Sequence, residues 1–383
     1  MNLSVLSARQ QLVLSAGLLL ITGFLLVTSA SIHYADTKLH APFYFGLRHG
    51  VYVLVGLIGA LVVSRLPVEL WQRFSPLLLV AGVLGLVAVL IPGLGREVNG
   101  SQRWIPLVGF NVQPSEFAKL ALLAFLADYL ARRRESLHEP LVIAKPLGVL
   151  ACMLGLLLLE PDLGTSVVMV AMVFTLLFLA GIPLRYVIGL AVAGIAAITV
   201  LILTQPYRMA RMTSFMDPWQ HQFDSGYQLV QSLIAFGRGE VAGVGLGNSV
   251  QKLFYLPEAH TDFVFAVAAE EFGLFGVMAI VLLFVLLVSA VLRIARDRAL
   301  AGDAFGAYFA WGAAVLIGVQ AFINMGVNMG LMPTKGLTLP LVSYGGSSLL
   351  ASCLMLGAVW RLAAPATGAT RTTSRQGREA VTA

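Results

Sequence analysis

The stretch YLPEAHTDFVFAVAAEEFG at residues 255–273 sets a proline, a histidine and several acids against the start of a long apolar run. A carboxylate at such a water-poor boundary has its pKa raised toward neutrality, which suits a general base. Asp262 is therefore read as the centre of the chemistry. The competing reading makes Thr261 or Asp262 a helix N-cap that satisfies the free amides of the following helix. His260, two residues earlier, is expected to orient or hydrogen-bond rather than titrate. Glu270 and Glu271 lie about 12 Å deeper along that helix, where they need partners or a water-filled pocket.

Four further motifs carry polar groups next to apolar runs: NGSQRWI at 99–105 with Arg103, QPSEFAK at 113–119, EPDLGT at 160–165 and PTKGLTLPLVSYGGSS at 333–348. In QPSEFAK, Pro114 fits a first helical turn, which puts Glu116 near the positive end of the dipole and Lys119 three residues on, on the same face. The two form either a self-compensating ion pair or a pair lining a polar cavity. Glu160 and Asp162 flank a tight hairpin tip and serve either the turn or a substrate. Lys335 follows a long apolar helix and either snorkels to the interface or meets substrate. Ser343, with Ser347 and Ser348 around Tyr344, looks like a turn presenting hydroxyls, yet no Ser, His, Asp order supports a hydrolase. Arg208 and Arg211 begin a long polar break. Their guanidinium groups suit lipid phosphates through bidentate hydrogen bonds, with interface anchoring as the alternative.

The elements that must position these residues are membrane helices. Of 383 residues 58% are hydrophobic and 11% charged, and the mean hydropathy is +0.86, which excludes an ordinary soluble domain. Apolar runs of about 17 to 25 residues recur throughout, each long enough to cross the hydrocarbon as a helix. Ten spans are expected, at about 11–31, 47–64, 75–92, 114–131, 146–159, 164–181, 186–204, 263–291, 304–329 and 345–362. The fifth reads as short and proline-led, closer to a buried or re-entrant segment. The first reads as an uncleaved span, because its n-region carries only Arg9.

The net charge of +6 reports topology rather than a nucleic-acid partner. With a cytoplasmic N-terminus, 15 of the 25 Lys and Arg fall inside, nine outside and Lys119 within a helix, which puts both termini in the cytoplasm. All the chemical motifs then lie on the external side. Residues 1–10 form a cytoplasmic start, 11–362 one polytopic domain, and 363–383 a basic tail expected to be disordered. The external break at 205–262 is too long for a plain linker and is expected to fold. Within it Tyr227, Val230, Leu233 and Ile234 share one face of a short amphipathic helix at the interface. The glycines at 237, 239, 243, 245 and 247 follow as a flexible passage without a phosphate-loop pattern. Cys152 and Cys353 have no spacing that suggests a metal site or disulfide framework.

GSQRWI, QPSEFAK, EPDLGT, PEAHTDFVFAVAAEEFG and PTKGLTLPLVSYGGSS together resemble the SEDS family of cell-wall polymerases, over roughly residues 10–362. Val98, Asn99 and Gly100 before the RW motif, with Thr334, Lys335 and Gly336, make the cell-division branch the most similar and the rod-shape branch the near alternative. The resemblance implies an all-α integral membrane fold of about ten transmembrane helices, with a large structured extracytoplasmic loop between helices 7 and 8. It implies a peptidoglycan glycosyltransferase that polymerises lipid II on the outer face of the bacterial cytoplasmic (inner) membrane, at the division septum. The expected partners are a class B penicillin-binding protein (an FtsI-like septal transpeptidase), other divisome membrane proteins of the FtsQ, FtsL, FtsB and FtsN type, and membrane lipids.

In that family the aspartate of the HTDF motif is the essential catalytic residue, which maps onto Asp262. Glycosyl transfer needs a base for the acceptor 4-hydroxyl and positive charge for the departing pyrophosphate. Asp262 suits the first role; Arg208, Lys119, Lys335 or a divalent Mg²⁺ or Mn²⁺ suits the second. Glu116, Asp162, Arg103, His260 and Ser343 complete the expected substrate-binding set. A metal would use Asp262 with the substrate pyrophosphate rather than an all-protein cage, and no organic cofactor is expected. Two rival functions are a lipid II flippase and a non-catalytic divisome scaffold that recruits a transpeptidase.

Overall fold

The computed structural model describes residues 6–98, 101–107, 109–137, 139–204 and 206–364. It is an all-α membrane fold in which a helix occupies each of the ten expected segments: α1 (Ala8–Leu39), α2 (Tyr44–Arg65), α3 (Val68–Leu90), α4 (Pro114–Arg132), α5 (Pro140–Leu159), α6 (Leu163–Leu179), α7 (Leu184–Leu203), α10 (Val264–Leu300), α11 (Ala304–Asn328) and α12 (Gly346–Leu362). Two more, α8 (Pro206–Met216) and α9 (Tyr227–Gly239), fold the long break. Among the described residues, α1, α2, α3, α5, α10 and α11 are long and apolar enough to cross a membrane. The fifth segment is thus corrected: α5 is a full 20-residue helix with Pro140 in its first turn and Pro146 inside it. Lys145 and Pro146 interrupt its apolar run and hid its beginning.

Lipid-facing surface and interior differ as a bilayer solvent demands. Leu47, Val51, Leu54 and Ile58 on α2 and Leu77, Val80 and Leu84 on α3 are exposed, and the polar groups are turned inward. The centre is α11, whose apolar window is 72% buried. Small residues allow close helix contact: a side chain at Gly357 of α12 would meet the Ala60 carbonyl of α2 at 2.5 Å.

Three features of the fold set the site. First, the break between α3 and α4 forms a small antiparallel sheet, β1 (Arg96–Val98), β2 (Ser101–Leu107) and β3 (Phe110–Val112), in the order β1-β2-β3. Val98 pairs with Ser101 and Ile105 with Val112, so β2 is central and carries Arg103. The structure of Asn99 and Gly100 lies outside the described residues, as does the tail beyond residue 364.

Second, α10 is broken at Gly273, which has φ 64° and ψ −159°. The backbone groups released by the break bond to residues 240–245: Val244 N–H donates to Glu270 O (3.0 Å), Gly245 N–H to Glu271 O (3.0 Å), and Leu274 N–H to Glu240 O (3.0 Å). Gly243, at φ 79°, lies so close that a Cβ would stand 2.2 Å from Glu271 O. The glycines expected to make a flexible passage are therefore split. Gly237 and Gly239 belong to α9, and Gly243 and Gly245 are fixed against α10.

Third, Glu270 and Glu271 find protein partners. Glu270 accepts from the Val250 (3.0 Å) and Gln251 (3.2 Å) amides and the Ser249 hydroxyl, and pairs with Arg238 at 3.4 Å. Glu271 pairs with Lys252 at 2.7 Å and accepts from Ser29 at 2.6 Å. These contacts pin the loop that leads into residues 255–263 to α1 and α10. The apolar side of α9 packs on α10 and the end of α11, where Ser232 donates to Asn328 O at 2.7 Å.

Candidate active site

Asp262 sits in the turn before α10 and does not cap it. The helix begins after Phe263 without a side-chain cap of its own, and the Ala266 amide donates instead to Asn328 Oδ1 at 3.1 Å. Thr261 turns away to Glu258, donating to Oε2 at 2.7 Å. The N-cap reading is thereby excluded, and the Asp262 carboxylate is left for other work.

Burial pushes the Asp262 carboxyl up to about 7, and the Glu258 carboxylate adds to the rise. Arg103 and Arg211 oppose it, and Asp162 adds a smaller upward push. Three segments distant in sequence, those of Arg103, Asp162 and Arg211, thus act on one carboxylate together with the nearby Glu258. A fourth adjoins it, because a side chain at Gly336 would meet Asp262 Oδ2 at 3.1 Å.

Each neighbour is held by its own element. Arg103 projects from β2, where its Nε–H donates to Glu160 O at 3.1 Å, its Nη2–H donates to Pro161 O, and its Nη1 lies 3.9 Å from Asp162. Asp162 is buried and caps α6 by accepting from the Thr165 amide at 3.2 Å. It serves the turn and orients Arg103 together. Glu160 is fully buried, and burial, then Asp162, raises its carboxyl to about 8, so it is neutral at pH 7. Arg211, on α8, donates to Thr334 O at 3.2 Å and so ties the long loop to the lysine-bearing one. Lys335 is half-buried, and burial followed by Arg211 lowers its pKa. The Arg208 side chain lies outside the described residues.

His260 belongs to an aromatic cluster, with ring centroids 4.8 Å from Phe45, 5.6 Å from Tyr344 and 6.1 Å from Tyr34. Its O accepts from the Tyr344 amide at 3.0 Å. Burial holds its pKa below the ordinary value despite Glu258, as a positioning histidine requires.

Glu116 and Lys119 unite both sequence readings. They pair at 2.9 Å, both buried, and they line a cavity between α4, α11 and α12 with Gln320, Leu316, Ser352 and Met355. Lys119 also donates to Gln320 Oε1 at 2.7 Å, so its charge is committed there. Ser343 corrects the expectation of displayed hydroxyls: it is buried and accepts from the Leu339 amide at 2.8 Å. Ser347 accepts from the Gln113 amide at 2.9 Å, and Thr338 donates to Ser348 at 3.0 Å. These hydroxyls close the turn and bind it to β3 and α4.

Gln320, Asn324 and Asn328, three buried amides at intervals of four on α11, belong to none of the sequence motifs. Gln320 donates to Thr338 O (3.0 Å); Asn324 donates to Leu337 O (2.6 Å) and Asp262 O (2.9 Å); Asn328 donates to Asp262 O (3.0 Å). Three carboxamides on one face of an apolar helix were the available signal. Among the described residues no three His, Cys, Asp or Glu side chains group so as to hold a metal unaided.

Known proteins share this arrangement of the chain. The family model for cell cycle proteins of the FtsW, RodA and SpoVE type matches residues 9–367. A protein of Marinobacter nauticus named "Probable peptidoglycan glycosyltransferase FtsW" is 52% identical over 352 residues, covering 92% of this chain and 88% of that protein. One of Alcanivorax borkumensis with the same name is 50% identical over 359 residues, covering 92% of each. A structure described as a peptidoglycan synthase complex that coordinates polymerization and crosslinking superposes with a TM-score of 0.75 at 31% identity, covering 92% of this chain and 96% of that one. The crystal structure of the Thermus thermophilus rod shape determining protein RodA gives a TM-score of 0.68 at 30% identity, covering 92% and 95%. The chain belongs to the FtsW, RodA and SpoVE family of cell cycle proteins.

Proposed function

We propose that this multi-pass membrane protein is a peptidoglycan glycosyltransferase of the cell-division type, with lipid II as substrate and Asp262 as general base. The observation that carries the mechanism is a carboxyl raised to about 7 that adjoins Gly336 and feels Arg103 and Arg211. About half of such a group is ionised at neutral pH, near the optimum for a general base.

In the step this implies, the acceptor 4-oxygen bonds to the anomeric carbon of the donor, its proton passes to Asp262, and the bond from that carbon to the pyrophosphate oxygen breaks. The products are a lengthened glycan and polyprenyl diphosphate. Arg103, Arg211 and Lys335 supply positive charge for the departing pyrophosphate. Mg²⁺ or Mn²⁺, needing only one or two carboxylates besides substrate phosphates, would be held by Asp262 and would neutralise the same oxygens.

The relatives' names support this activity, and the description of the synthase complex supports a class B penicillin-binding protein as partner. Septal location, cytoplasmic termini and contacts with other divisome membrane proteins complete the reading. The test is glycan synthesis from purified lipid II by the protein with its cognate transpeptidase, with Mg²⁺ or with chelator. Polymer and released polyprenyl diphosphate are expected. If labelled lipid II instead crosses vesicle membranes without polymer, the protein is a flippase; if it only binds the transpeptidase, it is a scaffold.

A further inference from the structure

We infer that Gln320, Asn324 and Asn328 form an amide ladder on α11 whose task is to set the position of Asp262 against the 334–345 loop; the inference rests on the polymerase reading above. The three side chains repeat every fourth residue, so they stack along one helix face. All are buried, with Asn328 wholly so. An unpaired carboxamide at that depth costs free energy, and three in one apolar helix need a use.

Their bonds converge on two segments that carry the proposed chemistry. On one side Asn324 and Asn328 both donate to the Asp262 main-chain carbonyl, at 2.9 and 3.0 Å. On the other, Asn324 donates to Leu337 O at 2.6 Å and Gln320 to Thr338 O at 3.0 Å. Asn324 alone therefore spans both segments, and it binds one residue from Gly336, where an added Cβ would stand 3.1 Å from Asp262 Oδ2. Asn328 also accepts from the Ala266 amide, which caps α10 and fixes the direction in which the aspartate leaves the helix.

The ladder has an input at each end. Gln320 accepts from Lys119, so its first rung touches the charged corner of the α4 cavity. The Asn328 main-chain carbonyl accepts from Ser232 of α9, so the helix turn that carries the last rung is tied to the folded loop. A helix face linked in this way places the base relative to the lysine-bearing loop and leaves the charges of both unchanged. The three amides are positioning residues, and their loss should act on turnover more than on substrate capture.

The experiment uses the full chain with its transpeptidase partner in lipid nanodiscs and compares Asn324→Leu and Asn328→Leu with wild type. Polymerisation kinetics on lipid II, melting temperature and partner co-purification are read together. Each variant is expected to lose about tenfold in kcat, the order expected for a lost hydrogen bond or two, with KM for lipid II within about threefold. A control such as Leu287→Ala, in the buried apolar face of α10, should match the loss of melting temperature without the loss of kcat.

Unchanged kcat in a folded asparagine variant overturns the inference. So does an equal kcat loss in the control matched for melting temperature. If neither leucine variant accumulates, the smaller Asn324→Ser and Asn328→Ser replace them; failure of these to fold assigns the ladder to folding alone and overturns the positioning role. Wild type without polymer would strike the polymerase reading instead, a result distinct from all of these.

Discussion

The rate of polymerisation should rise with pH through the Asp262 titration, and the charges around that residue say how to move the rise. With its pKa at about 7, roughly a tenth of Asp262 is ionised at pH 6 and roughly nine tenths at pH 8. A general base acts only when ionised, so kcat should climb about ninefold across that interval. Glu258 contributes the largest charge effect among the causes, and it raises the value. Glu258→Gln removes this charge and keeps an oxygen for the Thr261 hydroxyl, so the rise should move to lower pH. Arg211→Gln removes an opposing charge and should move it to higher pH, whatever it does to the plateau. The sign for stability follows: a carboxyl raised above its ordinary 3.8 costs stability increasingly as pH climbs from there to about 7. The assay is initial-rate glycan synthesis from lipid II between pH 5 and 9, normalised to each variant's own plateau. A flat profile across pH 6 to 8, or a Glu258→Gln rise displaced upward, would refute the assignment of Asp262 as base.

Lys119→Met should leave Glu116 buried without its cation, at a cost of about 3–5 kcal/mol that appears as a lower melting temperature. The double variant Glu116→Leu with Lys119→Met should regain most of that stability while remaining poor in synthesis. Gly336→Ala should lower kcat in a folded protein, because its methyl would stand 3.1 Å from Asp262 Oδ2 and press on the base. Chelation should reduce synthesis, and added Mg²⁺ or Mn²⁺ should restore it in the wild type, measured as polymer per unit time.

Much of this architecture is visible in the chain because a bilayer punishes exceptions. Each expected span is a helix, although the ends differ where charge and proline obscure them. Helix α10 runs to Leu300 rather than residue 291, since Arg293, Arg296 and Arg298 favour helix beyond the apolar stretch. Helix α3 begins at Val68 with Pro76 inside it. The sheet at 96–112 escaped notice because its strands are three to seven residues long and lack sustained alternation. Helix α8 was concealed behind its arginines and methionines.

The site shows the same division. Asp262 stood out as an acid at a boundary, and Arg103 and Lys335 as cations within motifs. That Arg103 binds the Glu160 turn and acts on Asp262 through its charge, and that Ser343 folds inward, depends on chain crossings that spacing does not encode. The amides of α11 were hidden by averaging, because three polar residues scarcely change the hydropathy of an apolar helix.

The most direct test of the central claim is glycan synthesis from lipid II by Asp262→Asn beside wild type, each with its transpeptidase. Asparagine keeps the size and removes the base, and it relieves the cost of a half-buried acid, so the variant should fold and co-purify with its partner. Polymer is expected from wild type and none from the variant. Equal polymer from both would show that Asp262 is no base and that the chemistry lies elsewhere.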